Sequence, residues 1–345
     1  MCYNKNMETQ LLKPTKESID LACKLLKQGE VVGVPTETVY GLAGDSTNKD
    51  AINKIFIAKG RPSDNPLICH ISNIKMLYKV AKEVPEDAIK LANAFWPGPL
   101  TIVMKKSDKI CKESTANLDS VGIRMPSNEI ARQIIEQSNT PFSAPSANIS
   151  GKPSPTNAKD VYEDMKGKIP LIIDGGECSE GVESTVVSVL SPTPMLLRPG
   201  VVTVEQMEKV LDKKIDIAKG VLEQVEAKEK VMSPGMKYRH YAPNAQVIII
   251  KSNFEKFNSY VKNHYKEGVY AMCFDEDMKN IDFPAIAYGQ EKDAKSQAHN
   301  LFKVLRQLDE LNAKVVYARC PKTSGIGLAV YNRLIRSAGF KVIEL

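Results

Sequence analysis

The sequence predicts an α/β protein with two domains, and three observations support this fold class. Short apolar runs typical of strands alternate with amphipathic segments typical of helices along nearly the whole chain. The length of 345 residues exceeds the roughly 100–200 residues of a single domain. Between residues 212 and 232 the composition changes to Lys and Glu with few apolar side chains. We therefore predict a first domain over 12–211, a linker over 212–244 and a smaller domain over 245–345.

The first domain is predicted to begin with a helix over 16–28, followed by a buried strand over 30–35. A second helix over 50–59 has apolar residues at helical spacing. It is expected to end at Gly60, because glycine favours the left-handed turn that follows many helices. The remaining predicted elements of this domain are strands over 67–71, 100–104, 121–125, 171–174, 184–190 and 195–198, and helices over 86–95 and 204–211.

The second domain repeats this alternation on a smaller scale. Its longest predicted helix, over 294–311, places Leu301, Leu305 and Leu308 on one face. The glycines at 325–327 lack the third glycine of a dinucleotide-binding fingerprint, so we interpret this stretch as a helix-start turn. The other predicted elements are strands over 246–251, 268–274, 315–320 and 341–345, and helices over 254–265 and 326–337. This order predicts a small, doubly wound, Rossmann-like domain.

Composition narrows the classes of function. The net charge of +6 is mildly basic, which permits a nucleic-acid partner without arguing for one. Seven scattered cysteines and an N-terminus without an apolar targeting core predict free thiols in a reducing cytoplasm. No run reaches the roughly 20 apolar residues of a membrane span, so we expect no membrane association. Four histidines without HExxH or a Cys/His cluster argue against a zinc site.

The most informative stretch is the predicted loop AKGRPSDNPLICH at 58–70. It carries two cations, an amide and an imidazole: Lys59, Arg61, Asn65 and His70. Its two prolines fix the backbone and remove donors, which holds a loop in shape. Fixed cations on such a loop suit an anionic ligand, above all a polyphosphate, although a solvated surface turn explains the same residues.

Four further polar clusters lie at predicted strand ends, where open α/β sheets bind ligands. They are PTETVYG at 35–41, SVGIRMP at 120–126, PFSAPSANISG at 141–151, and EST at 183–185 together with RPG at 198–200. Hydroxyl-rich turns are also common without a ligand, so each cluster alone is a weak indication. Arg124 stands inside an apolar strand and must meet a carboxylate, which belongs either to the protein or to a ligand.

Several common catalytic motifs do not occur in the sequence. It contains no GxxxxGK[ST] phosphate loop and no GxSxG nucleophile turn. The polar clusters supply donors and cations without an evident nucleophile. This inventory favours catalysis by positioning and charge neutralisation, as at phosphoryl-transfer centres.

Taken together, these motifs resemble a known family. PTETVYGLAGDS, KGRPSDNPLICHI, WPGPLT, VGIRMPSN, SAPSANISGKPSPT, GVESTVV and LRPG resemble, in that order, the YrdC-type threonylcarbamoyl-AMP synthases. SPGMKYRHYAP at 233–243, followed by a small α/β domain, is similar to the long two-domain form of that family. The resemblance runs from about Thr15 to the C-terminus.

The resemblance implies a fold and a reaction. The first domain would be a YrdC-type twisted α/β sheet with a large, concave, positively charged cavity. L-Threonine, bicarbonate and ATP would give L-threonylcarbamoyl-AMP and pyrophosphate, with Mg2+ carried on the phosphates and no metal ligand from the protein. The product would be passed to a separate transferase complex that forms t6A at position 37 of tRNAs reading ANN codons. Weak direct binding of tRNA is a further expectation.

The resemblance also implies roles for individual residues. The catalytic cations would be Lys59 and Arg61. Threonine would be bound by Thr38, His70, Arg124, Ser146 and Ser184. ATP would be bound by Lys59, Arg61, Asn65, Ser120, Ala144, Ser154, Arg198, His240 and Tyr241. Because the last two lie on the aromatic, proline-bounded stretch at 233–243, we predict that this stretch closes over the cavity as a lid.

Two alternatives belong to other classes. In the first, the basic cavity binds tRNA or double-stranded RNA directly, although the chain lacks a Lys/Arg stripe with interleaved aromatics. In the second, the chain is a carbamoyl-transfer module like that of hydrogenase maturation proteins, but their acylphosphatase and zinc-finger regions are not evident here.

Overall fold

The computed structural model of the protein describes residues 7–223 and 241–345. Within these ranges the chain forms one sheet of eleven strands and one of five. The strands of the first sheet are β1 (Gln10–Leu12), β2 (Val32–Val34), β3 (Gly41–Asp45), β4 (Ile68–His70), β5 (Leu100–Lys105), β6 (Ser120–Arg124), β7 (Phe142–Ser143), β8 (Leu171–Ile173), β9 (Thr185–Ser188), β10 (Met195–Arg198) and β11 (Asp216–Ile217). Those of the second are β12 (Gln246–Lys251), β13 (Val269–Cys273), β14 (Ala285–Ala287), β15 (Val315–Arg319) and β16 (Val342–Glu344).

The helices are α1 (Lys16–Lys27), α2 (Lys49–Lys59), α3 (Ile74–Val80), α4 (Glu86–Phe95), α5 (Glu129–Ser138), α6 (Ala158–Met165), α7 (Val204–Leu211), α8 (Phe254–Asn263), α9 (Ala294–Glu310) and α10 (Ile326–Ser337). The predicted α/β class with two domains is confirmed. Elements that the sequence did not predict are β1, β3, β7, β11, β14, α3, α5 and α6. In the described ranges, no helix is both long enough and apolar enough to cross a membrane.

The first sheet, in the order β1-β8-β2-β3-β7-β4-β6-β5-β9-β10-β11, brings separate motifs together. β4 and β6 are parallel, and their register places His70 opposite Arg124. β7 runs antiparallel to β4, with Ser143 opposite Cys69. The backbone N–H of Ala144 then donates to the carbonyl of Ile68. The residues after β7 therefore reach the loop that precedes β4.

Helix α2 positions the Lys59–Arg61 segment. The Asn48 side chain caps its N-terminus by accepting from the backbone N–H groups of Asp50 and Ala51. Its C-terminus ends at Gly60, which has the left-handed φ of 62°. The predicted stop is thereby confirmed, and Lys59 is the last residue of a well-capped helix.

The second sheet has the order β14-β13-β15-β12-β16, and every pair in it is parallel. Side chains alternate between its faces: Ile249 packs on the side of α9 and α10, whereas Ile250 packs on the side of α8. On α9, Leu301, Leu305 and Leu308 are fully buried, as their spacing predicted. Helices cover both faces, which confirms the doubly wound prediction.

The two domains share an apolar core and several polar contacts. Val39 and Val182 of the first domain pack within the apolar cluster of the second domain. Arg306 on α9 donates to Asp164 of α6 at 2.8 Å. Adding a Cβ to Gly181, which has a φ of 78°, would bring it within 2.4 Å of the Cα of His299 on α9. The two domains are therefore packed closely against each other.

The predicted linker at 212–244 is only partly described. Its first part forms β11, which pairs in parallel with β10, and a short 3-10 helix at Lys219–Val221. This part continues the first sheet beyond the predicted boundary at 211. Residues 224–240, which include most of the predicted lid, lie outside the described residues.

Candidate active site

A cleft with about 740 Å³ of empty space opens in the first domain, next to the second. Ten of the residues predicted from the sequence line it: Thr38, Lys59, Arg61, His70, Arg124, Ala144, Ser146, Ser184, Arg198 and Tyr241. Three others, Asn65, Ser120 and Ser154, are buried but do not belong to this lining. The predicted ATP-binding residue His240 lies outside the described residues. The motifs quoted above thus converge on one site.

Arg124, at the end of β6, is 4 % exposed and contacts three groups of the first domain. Its Nη2 lies 2.7 Å from Oε1 of Glu37, and its Nη1 donates to Thr38 Oγ1 at 2.9 Å. Its Nε donates to the carbonyl of Gly98 at 3.3 Å. Burial acts to raise the pKa of Glu37, but the Arg124 charge and hydrogen bond hold it below its ordinary value. In this structure the expected carboxylate partner of Arg124 is the internal Glu37.

His70 lies beside Arg124 and is a neutral imidazole. Burial, followed by the Arg124 charge, lowers its pKa to about 3. Its Nδ1 is 3.1 Å from the carbonyl oxygen of Ile68, which can only accept. Nδ1 must therefore carry the proton, and Nε2 retains its lone pair. His70 can orient a ligand by accepting a hydrogen bond, without adding a charge.

Lys59 connects the end of helix α2 to the loop that contains Ser146 and Asn148. Its Nζ donates to the backbone carbonyls of Ser146 and Asn148, the second at 2.7 Å. The Ser146 hydroxyl in turn donates to Asn148 Oδ1 at 2.5 Å. Burial, and next the charge of Arg61, lower the pKa of Lys59 well below its ordinary value. An anion placed beside Lys59 and Arg61 would act in the opposite direction and raise the pKa of Lys59.

Arg61 begins the proline-bounded loop and lines the cleft. Its Nη2 donates to the carbonyl of Asn65 at 3.2 Å, a bond that spans the loop. Asn65 itself is fully buried. The loop is thus folded onto its own arginine, which is one of the residues that line the cleft.

Arg198, at the end of β10, is a second buried guanidinium. Its Nε donates to the Ser184 carbonyl at 3.0 Å, and its Nη2 donates to the Ser184 hydroxyl at 3.1 Å. That hydroxyl also lies 2.8 Å from Thr101 Oγ1 of β5. Burial lowers the pKa of Arg198 to about 10, so it stays charged at neutral pH. Its orientation is fixed by β9 before any ligand arrives.

Glu183 is a carboxylate in the cleft lining and is 7 % exposed. Its Oε1 accepts from the Ser154 hydroxyl at 2.6 Å. Its Oε2 accepts from Nε of Arg333 on α10 at 2.9 Å. Burial acts to raise the pKa of Glu183, but Arg333 and then Arg198 hold it below the ordinary value. Glu183 is therefore ionised, and its charge is balanced by arginines.

Tyr241, within the predicted linker and the first residue that the structure describes after 223, reaches the cleft from the side of the second domain. It is 6 % exposed, has a φ of 64°, and its ring lies 5.1 Å from that of Phe302 on α9. The next residue, Ala242, donates its backbone N–H to the carbonyl of Gly151 at 2.9 Å. The segment that enters the second domain, beginning at Tyr241, therefore forms part of the cleft wall.

Comparisons with known proteins identify the family of the chain. Residues 24–200 match the Sua5/YciO/YrdC family model, whose description is "Telomere recombination". Residues 202–339 match the model described as "Threonylcarbamoyl-AMP synthase, C-terminal domain". The threonylcarbamoyl-AMP synthase of Pyrococcus abyssi is 44 % identical over 335 residues, covering 95 % of this chain and 96 % of that protein. The chain belongs to the Sua5/YciO/YrdC family. The threonylcarbamoyl-AMP synthase of Bacillus subtilis is 42 % identical and covers 97 % of each chain.

Solved structures match this chain either over both domains or over part of it. The complex of P. abyssi Sua5 with L-threonine is 42 % identical, with a TM-score of 0.89 over 98 % of this chain and 99 % of that one. Escherichia coli YciO, at 22 % identity and a TM-score of 0.52, covers 58 % of this chain and shows the same fold. The predicted family membership and the two-domain Sua5-type fold are thereby confirmed.

The sequence argument gave no role to several residues that the structure places at the site. Asn148 bonds Lys59 and Ser146, Lys152 lines the cleft, and Glu37 and Glu183 are paired with arginines. Both glutamates lie inside the quoted motifs, so a buried carboxylate at a strand end was an available signal. Arg333 gave no such signal, because it lies in the other domain.

Proposed function

We propose that this protein is an L-threonylcarbamoyladenylate synthase, a nucleotidyltransferase. It would convert L-threonine, bicarbonate and ATP into L-threonylcarbamoyl-AMP and pyrophosphate. The observation that carries the proposal is a single cleft containing Lys59, Arg61, Arg124 and Arg198, in a chain whose full-length relatives are named for this product. The P. abyssi Sua5 complex with L-threonine supports an amino acid as one substrate.

The chemistry needs no protein nucleophile. The threonine amine adds to the carbon of CO2 and loses a proton to give a carbamate; with bicarbonate the same C–N bond forms as a C–O bond breaks and water leaves. One carbamate oxygen then attacks the α-phosphorus of ATP, a new P–O bond forms, and the bond to the β-phosphate oxygen breaks to release pyrophosphate. What the protein supplies is alignment of three reactants and neutralisation of the phosphate charge. Exclusion of water protects the carbamate and the mixed anhydride from hydrolysis.

On this proposal, Lys59, Arg61 and Arg198 bind the triphosphate. The two arginines present planar donors that match phosphate oxygens. Burial depresses the pKa of Lys59, and an approaching phosphate would favour its ammonium form because the added negative charge stabilises the cation. Ala144 lines the cleft, and its small side chain would allow the nucleotide to approach closely.

Arg124 would receive the threonine carboxylate, with Thr38 and neutral His70 orienting the amino acid. Because Glu37 already pairs with Arg124, the ligand carboxylate must share or replace that contact. Both arrangements keep the Arg124 charge matched, which a buried guanidinium requires. The free protein therefore presents a preformed Arg124 in its binding position.

Mg2+ would enter bound to the phosphates of ATP, as part of the substrate. The donor set fits this route, since the carboxylate in the cleft lining, Glu183, is already paired with Arg333. Within residues 7–223 and 241–345 no cluster of three or more His, Cys, Asp or Glu is placed to hold a metal ion. The proposal extends to a cytoplasmic location and to supply of the t6A modification of ANN-decoding tRNAs through a separate transferase complex.

The test is formation of pyrophosphate and of threonylcarbamoyl-AMP by the full-length protein, with each of threonine, bicarbonate and ATP omitted in turn. Product that requires all three substrates supports the proposal. Arg198→Met should abolish it, whereas Arg132→Met, a matched change outside the cleft lining, should not. Binding of tRNA at physiological salt without any such product would instead favour the RNA-binding alternative.

A further inference from the structure

A buried cation of the second domain reaches the wall of the cleft in the first. Arg333 lies on α10 and is fully buried. Its Nε donates to Glu183 Oε2 at 2.9 Å, and its Nη2 donates to the backbone carbonyl of Glu183 at 3.1 Å. Its Nη1 donates to the backbone carbonyl of Pro199. One guanidinium thus binds two separate segments of the first domain.

These two segments are the ones that hold Arg198. Glu183 precedes Ser184, whose hydroxyl and carbonyl accept from Arg198, and Pro199 follows Arg198 directly. Arg333 therefore joins the start of β9 to the end of β10 from outside the cleft. A guanidinium with planar donors suits such a double contact, and a lysine would make only part of it.

The charge of Glu183 makes this contact consequential for an anionic ligand. Glu183 lies in the lining of a cleft that would bind a triphosphate, and an unmatched carboxylate there would repel the phosphates. It would also attract Arg198, since these two groups interact across the buried site. Arg333 supplies the matching positive charge from the side that faces away from the ligand.

We propose that Arg333 is a positioning residue for the nucleotide: it neutralises Glu183 and fixes Arg198, so that the second domain completes the phosphate site of the first. The proposal rests on the proposed function, because it requires ATP in the cleft. The second domain thereby has a role in catalysis in which Arg333 does not contact the substrate.

The experiment uses four full-length variants beside the wild type. Arg333→Met removes the charge at similar side-chain length. Arg333→Lys keeps the charge but not the planar set of guanidinium donors. The double variant Glu183→Gln/Arg333→Met removes both charges. The amide oxygen of the new glutamine can still accept the hydrogen bond from Ser154. Arg306→Met is the matched control, because Arg306 makes the other strong interdomain pair, with Asp164, which is not in the cleft lining.

For each variant, ATP affinity is measured by calorimetry, KM for ATP and for threonine by product formation, and Tm by thermal unfolding. Truncating one partner of a buried charge pair weakens function strongly, so Arg333→Met should raise the ATP KM and Kd by about tenfold or more. Its threonine KM should rise by a smaller factor than its ATP KM, since Arg124, Thr38 and His70 lie outside this network and only Ser184 of the predicted threonine-binding residues contacts Arg198. Arg333→Lys should fall between this variant and the wild type.

The decisive result is the double variant: its ATP Kd should recover at least about threefold of the affinity that Arg333→Met loses, because the unmatched Glu183 carboxylate is gone although the Arg333 contact to Pro199 is still missing. If Arg333→Met alone does not fold, the ATP Kd of the double variant is compared with that of the wild type instead. A double variant as weak as Arg333→Met, or an Arg306→Met variant with the same loss of ATP affinity, would overturn the proposal. If the wild type makes no threonine-dependent product, the proposed function fails, whereas the calorimetric comparison still decides the role of Arg333.

Discussion

The Arg124–Glu37 pair allows stability and substrate binding to be separated by mutation. Both side chains are at most 7 % exposed, and their charged atoms are 2.7 Å apart. Solvent screening is therefore weak, and Arg124→Ala should leave the Glu37 carboxylate buried without its partner. Breaking a buried pair in this way typically costs about 3–5 kcal/mol of folding free energy.

The same change should weaken threonine binding for a different reason. A carboxylate ligand would lose a charge-assisted contact of about 1.5–3 kcal/mol, which corresponds to roughly 10- to 150-fold in Kd. ATP affinity should change by less than about threefold, because on the proposed function the phosphates would lie near Lys59, Arg61 and Arg198. Urea unfolding gives the first quantity, and calorimetric titration with each ligand gives the second.

The double variant Arg124→Ala/Glu37→Gln distinguishes the two effects. Removing the unpaired carboxylate should restore a substantial part of the lost stability, since a neutral amide is far less costly to bury. Threonine affinity should stay low, because the guanidinium is still missing. Loss of ATP binding with threonine binding retained would reverse our assignment of the two sides, and recovery of threonine binding in the double variant would refute the role of Arg124.

Three further predictions follow from other parts of the structure. Arg61→Ala should lower kcat/KM by about 30- to 1000-fold in steady-state kinetics and Arg61→Lys should keep a small part, whereas an alanine variant within about threefold of wild type would make the loop a surface turn. His70, with its pKa lowered to about 3, binds a proton in the unfolded chain before it does so in the folded one. Stability should therefore fall as pH drops below about 6.5, by up to about 1.4 kcal/mol per pH unit, and unfolding of His70→Gln should lack this contribution. Gly181→Ala should destabilise the protein by about 1–3 kcal/mol more than Gly176→Ala, because both glycines have a positive φ but only the first would clash, with His299; equal Tm values would contradict this.

Local signals in the sequence predicted parts of the fold well. The end of α2 at Gly60 and the leucine face of α9 are set by residues within a few positions of each other. β3, at Gly41–Asp45, has no β-branched or aromatic residue, so nothing local marks it as a strand. It forms because β2 and β7 pair with it and because Gly44 allows Ile55 of α2 to pack closely. Tertiary packing decides such an element, and the sequence alone does not show it.

The site shows the same division. The motifs correctly predicted that residues far apart in sequence converge, because each motif lies at an end of a strand of one sheet. Ser120, however, starts β6 opposite Lys105, whereas Arg124 at the other end of that strand lines the cleft. Ser154 is turned toward Glu183. Motif membership locates a segment near the cleft, but the direction of each side chain depends on packing.

The cost of burying cations connects the two domains to the chemistry. Lys59 and Arg198 are nearly inaccessible to solvent, and burial lowers the pKa of each, which means that their charged forms are destabilised in the free protein. Such groups can persist only where fixed acceptors surround them, and here those acceptors are backbone carbonyls and the Ser184 hydroxyl. A polyphosphate would relieve this cost, so the free energy stored in orienting the cations is recovered when the ligand binds. Glu183 is balanced in a similar way, by the cation Arg333 from the second domain. Because of this pair, the cleft keeps its oriented Arg198 and the ligand does not meet an unmatched carboxylate.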